Sequence, residues 1–119
     1  MVIVRFTNLD FDKGLFFKKC ADRILVEVKG HAGFYNSGVD LACAGISAVS
    51  QTLLLSIDRL TEAKANITAE SGNLVCEIYI NGLSELELSK VLLLLESLII
   101  GLVEIAKEYP DSVKIEFVS

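Results

Sequence analysis

Two hydrophobic periodicities alternate along this chain, and their order constrains the fold more than any other feature. Val2 to Phe6 alternates apolar and polar residues, as does Ile24 to Lys29, where Ile24, Val26 and Val28 oppose Leu25, Glu27 and Lys29. Period-two patterning of this kind marks half-buried strands. Between them Asp12-Lys13-Gly14 reads as a turn, and Leu15-Phe16-Phe17 covers a sheet edge or extends a strand. Asp40 caps a helix that runs to about Lys64, with Ala42, Cys43, Ile46, Val49, Leu53, Ile57 and Leu60 on its apolar side. A hairpin follows, Ala65 to Glu70 and Leu74 to Ile80 around Ser71-Gly72-Asn73. A second helix starts at Ser84 or Asn81 and reaches about Tyr109, where Pro110 stops it, and Val113 to Val118 is a last strand.

Setting the first strand aside, the order is strand, helix, strand, strand, helix, strand. That is the ferredoxin-like order, an α+β two-layer sandwich with both helices on one face of a mostly antiparallel sheet. The extra N-terminal strand is expected at a sheet edge. No repeat or linker interrupts the pattern, so residues 1–119 read as one domain. The second helix is apolar over too wide an arc for one sheet: Val91 to Leu95 run consecutively, followed by Leu98, Ile99, Ile100, Leu102 and Val103. A second copy of the chain is the simplest cover for the surplus, which predicts a homodimer through this helix.

Composition narrows the partners. A net charge of −5 without a basic stripe argues against nucleic acid as a direct ligand. Cys20, Cys43 and Cys76 form an odd, widely spaced set, and Met1 to Thr7 carries no signal-peptide pattern, so free thiols in a reducing cytoplasm are expected. The stretch Val91 to Val103 contains Glu96 and is too short to span a bilayer, so no membrane is expected. No Cys-x-x-Cys pair, zinc-ligand spacing or phosphate-binding glycine loop is present, and neither metal nor cofactor is expected.

The chemistry concentrates between Gly30 and Ser47. His31 is the only histidine, at the end of the second strand, and Cys43 lies three residues after the expected cap Asp40. A thiol in a first helical turn gains from the unpaired N–H groups there, and an imidazole beside it can take its proton and return it to a leaving amine. Backbone N–H groups nearby could hold an oxyanion. The same residues also fit a small core cysteine, a solvated strand-end histidine, a helix-capping aspartate and turn glycines at Gly33 and Gly38. Ser47, one turn beyond Cys43, either bonds a backbone carbonyl or reaches the site. A non-catalytic dimeric ferredoxin-like binding module is the competing functional reading.

The segment Gly30-His31-Ala32-Gly33, a short loop, then Gly38-Val39-Asp40-Leu41-Ala42-Cys43-Ala44-Gly45-Ile46-Ser47-Ala48 closely resembles the signature of the ribosomal-processing cysteine protease family, Prp. The resemblance implies a small homodimeric peptidase with Cys43 as nucleophile and His31 as general base and acid. Asp40 and Ser47 would support the site. The segment from Ala32 to Val39, with Gly33, Phe34, Tyr35 and Gly38, would be a mobile loop that folds over the peptide. The implied substrate is the N-terminal extension of large-subunit ribosomal protein twenty-seven, cut after an aromatic-rich sequence. Two positions depart from the family pattern: Ala42 replaces a branched aliphatic residue and Gly45 an alanine.

Overall fold

The computed structural model describes residues 1–11, 14–18, 21–30, 37–70 and 72–118. Strands β1 (Val2–Thr7) and β4 (Arg23–Lys29) flank a small hairpin of β2 (Leu9–Phe11) and β3 (Leu15–Phe17). Helix α1 (Ser37–Leu60) follows, then β5 (Lys64–Glu70), β6 (Asn73–Tyr79), helix α2 (Glu85–Glu108) and β7 (Val113–Val118). The main sheet has the order β5-β6-β4-β1-β7. All neighbours are antiparallel except β1 and β7. Without β1 the order would be that of the ferredoxin-like fold, so the α+β sandwich expected from the periodicities is present.

The N-terminal strand is not at an edge. It lies between β4 and β7 and is bonded on both sides, with Val4 opposite Val28 on one neighbour and Ile115 on the other. Alternation reports how many faces of a strand are buried, one here, and is blind to how many of its edges are paired. The parallel partner β7 is also the last strand of the chain, a pairing no local pattern announces. Asn8 makes the corner out of β1 with a positive φ of 67°, a conformation asparagine tolerates better than other side-chain-bearing residues. Its amide donates to the Arg23 carbonyl at 3.0 Å, which ties the small hairpin to β4.

Both helices cover the same face of the sheet. Cross-strand rows such as Ile67–Cys76–Val26–Phe6–Phe117 show the registers in alignment, and Phe6, Val26 and Cys76 of that row are fully buried. The opposite face carries ion pairs, including Arg5 with Glu116 at 3.1 Å and Arg23 with Glu77 at 2.7 Å. The helices run antiparallel against each other. A Cβ on Gly45 would lie 3.4 Å from Ile105, and one on Gly101 would lie 3.2 Å from Val49. Glycine at 45 therefore sits where α1 meets α2, and an alanine there would be in ordinary contact with Ile105.

Three expectations for α1 change. It starts at Ser37, so Asp40 is the fourth helical residue and does not cap it. Gly38 and Val39, expected in a loop, belong to the first turn. Gly38 does not prevent this earlier start, because glycine disfavours a helix without forbidding it. The helix also ends at Leu60 rather than Lys64, which opens β5. Its core side is Ala42, Ile46, Leu54 and Ile57, while Leu60 is largely exposed. By length and composition alone Leu41–Leu60 is long and apolar enough to cross a bilayer.

Candidate active site

A cleft of about 90 Å³ opens between the N-terminal half of α1 and one end of the sheet. Cys43, Ser47 and Gln51 supply the helical wall. Their four-residue spacing places them one above another on a single face. The opposite wall comes from the end of β4, with Val28 and Gly30, and from the β5–β6 hairpin, with Ala69, Gly72 and Leu74.

Gly30 is a backbone requirement. Its φ is +112°, and a Cβ there would fall 2.1 Å from the Met1 carbonyl oxygen, far inside contact distance. Its N–H donates to the Gly72 carbonyl at 3.1 Å, clasping the end of β4 to the hairpin. Only glycine satisfies both conditions, and the residue it hands on to is His31. The glycine before the histidine in the Gly-His pair thus shapes the rim of the cleft that Cys43 also lines.

The structure brings Cys43 and Ser47 together at this cleft, both half-buried. Asp40 and Gly38 lie in the first turn of α1. His31, Gly33, Phe34 and Tyr35 lie outside the described residues. Cys43 is the seventh residue of the helix, in its second turn rather than its first. The helix-terminus field falls off within the first turn, so it is not a strong means of activating this thiol. Gln51 was missed by sequence reasoning, although it continues the Cys43, Ser47 spacing by one further turn. Its side-chain Nε2 donates to Ser47 Oγ at 2.8 Å. The hairpin wall was missed too, because no local signal ties residues 69–74 to a helix that begins at Ser37.

Cys76 offers the opposite environment. It is fully buried on β6, which is paired on both sides within the sheet. Burial, with lesser help from Asp58 and Glu77, pushes its thiol up to about 12. A thiol held neutral in a core is inert as a nucleophile. Among the described residues no group of three or more His, Cys, Asp or Glu side chains could hold a metal ion.

Fold and site together describe an α+β sandwich with a reachable thiol in a cleft between its first helix and its sheet. A family model described as cysteine protease Prp matches residues 14–114, and the chain belongs to that family, whose members are cysteine peptidases. Solved structures show the same fold. A Streptococcus mutans protein is 23% identical with a TM-score of 0.70, over 99% of this chain and 94% of that one. An essential ribosomal processing protease Prp from Staphylococcus aureus, in complex with a substrate peptide, is 23% identical with a TM-score of 0.70. The match covers 98% of this chain and 99% of that one. The same S. aureus enzyme with a covalently linked product peptide gives a TM-score of 0.68 at 22% identity, with the same coverage. No curated protein matches the chain.

Proposed function

We propose that this chain is a cytoplasmic, homodimeric endopeptidase that removes a short N-terminal extension from large-subunit ribosomal protein twenty-seven through a Cys43/His31 dyad. The observation that carries the reading is the contrast between the two described thiols: Cys43 lines a cleft and Cys76 is sealed in the core. Family membership supports the reaction class, and the S. aureus relative, a ribosomal processing protease, takes a substrate peptide. His31 follows directly on Gly30, which lines the same cleft as Cys43.

In the proposed reaction His31 takes the Cys43 thiol proton as the sulfur attacks the scissile carbonyl. The tetrahedral adduct collapses to a thioester as His31 returns that proton to the leaving amine. A water molecule, deprotonated by His31, then hydrolyses the thioester and restores the thiol. Nucleophile, base and water balance every atom, so the reaction calls for no cofactor or metal. Asp40 and Ser47 are supporting residues, and the glycine-containing segment through Gly33, Phe34, Tyr35 and Gly38 contacts the peptide. The second copy of the chain packs on α2.

The test is cleavage of the organism's own ribosomal-protein extension, followed by mass spectrometry. Cys43→Ala and His31→Ala should each abolish cleavage while circular dichroism and melting stay near wild type. Full activity in Cys43→Ala would end the reading.

A further inference from the structure

Serines and threonines inside helices commonly turn their proton back to the carbonyl four residues earlier. In this protein Ser56 does so to Thr52 at 2.8 Å, and Thr61, just past the end of α1, bonds back to Ile57 at 2.6 Å. Ser47 does not. Its hydroxyl instead accepts from Gln51 Nε2 at 2.8 Å, and no described residue takes its proton. A hydroxyl has one proton and two lone pairs, so accepting from Gln51 leaves that proton for another acceptor. Helical side chains lean toward the helix N-terminus, so Gln51 leans over Ser47 and Ser47 leans over Cys43. All three line one cleft.

We infer that Gln51 is a positioning residue: by donating to Ser47 it occupies a lone pair of the hydroxyl and leaves the serine proton free for the Cys43 sulfur once that sulfur is ionised. When the base removes the thiol proton, the Ser47 O–H donates to the sulfur anion, and no covalent bond changes at either Ser47 or Gln51. Hydrogen bonding to the charged form of a group favours that form. The inference rests on Cys43 being the nucleophile and adds a residue that neither the signature motif nor the family match singles out.

Donor and acceptor chemistry at position 51 separates this from a packing role. Gln51→Glu offers only acceptor atoms at neutral pH, so it draws the Ser47 proton to itself and away from Cys43. Gln51→Lys offers only donors and leaves the Ser47 proton free for the sulfur. Gln51 is exposed, so neither change disturbs the core. The readout is the rate of Cys43 alkylation by neutral iodoacetamide at pH 7.5 in the full chain. Gln51→Glu should slow it by between about twofold and tenfold, the range spanned by the net contribution of one hydrogen bond. Gln51→Lys should stay near wild type. The new charge also acts directly on the sulfur, because a side chain that bonds Ser47 Oγ at 2.8 Å lies only two hydrogen-bond steps from it. The Ser47→Ala background measures that field alone, and there the difference between the Glu and Lys variants should shrink. Wild-type alkylation in Gln51→Glu, or a Glu–Lys difference that persists undiminished without Ser47, would overturn the inference. Because alkylation needs no substrate, the expected pattern in a protein that cuts no peptide would sink the protease reading and leave this one standing. Normal cleavage with a flat alkylation series would do the reverse.

Discussion

Two thiols in one small sandwich experience opposite surroundings, and this difference has a measurable pH signature. The Cys76 thiol, raised by burial from an ordinary 9.0 to about 12, stays protonated in the folded chain where the unfolded chain ionises. A raised folded-state value contributes stability in full below the unfolded value and loses it as pH rises through the folded one. The stability contributed by Cys76 is therefore intact below pH 9 and is lost between pH 9 and about 12. Melting curves of wild type and Cys76→Ala should show wild type more stable at pH 8, with the gap narrowing by pH 10.5. A gap independent of pH would show that Cys76 is not held neutral by its surroundings. At this scale the sequence was legible where chemistry and helical spacing coincide. Cys43 and Ser47 are four residues apart and do share a face, and Gln51 follows by the same rule. Asp40 does not cap because the helix already begins three residues earlier, at Ser37. The role of Gly30 depends on a carbonyl at Met1, and no window along the sequence brings the two together.

At the scale of elements, the start of α2 shows how one side chain serves two segments. Ser84 is the N-cap and accepts from the Glu87 N–H at 3.2 Å, the first half of a capping box. Glu87 does not reach back to complete it. Its carboxylate accepts from the Glu62 N–H at 2.8 Å and pairs with Lys90 at 2.6 Å, so it ties the connection after α1 to the start of α2. Lys90 first, and then the Glu62 N–H, hold this carboxyl below its ordinary value. A lowered carboxyl contributes stability above the unfolded value of 4.5 and loses it as pH falls through the folded one. Glu87→Gln should flatten the acid limb of a melting-temperature profile taken from pH 6 down to 3, and an unchanged limb would refute the tie. Ser84→Ala should cost about 1 kcal/mol at any pH in that range. The start at Ser84 and the strand Val113–Val118 were both legible because cap, proline and alternation are local signals. The end of α1 was not. Its last turn stops at Leu60 where Thr61 folds back, with Oγ1 donating to the Ile57 carbonyl and accepting from the Ala63 N–H. Residues 61–64 carry no glycine or proline to announce that stop.

For the whole molecule, the central place of β1 was beyond a sequence argument, and the surplus of apolar surface on α2 was not. Leu95 faces the core, but Leu93, in the same run of leucines, is 68% exposed. Leu86 at 65% and Ile100 at 64% are exposed as well. The three are seven residues apart. At that spacing an α-helix drifts only about 20° per step, so they form one stripe along the outer side of α2. The stripe spans about 21 Å at 1.5 Å rise per residue. It borders a groove of about 460 Å³ where Ile100 and Val103 meet Phe11 of the small hairpin. In the proposed homodimer two such stripes meet across a two-fold axis, which pairs Leu86 of each copy with Ile100 of the other around a central Leu93 pair. Leu93→Glu then sets two like charges at the axis and should give monomer or insoluble protein. Leu93→Cys should cross-link with itself under mild oxidation, in a background where the three native cysteines are replaced by alanine. In the same background Leu86→Cys should cross-link only to Ile100→Cys, a pattern that separates this geometry from a general stickiness of the helix. Light scattering showing the unmodified chain to be monomeric at micromolar concentration would refute the dimer. A dimer that survives Leu93→Glu would place the interface elsewhere.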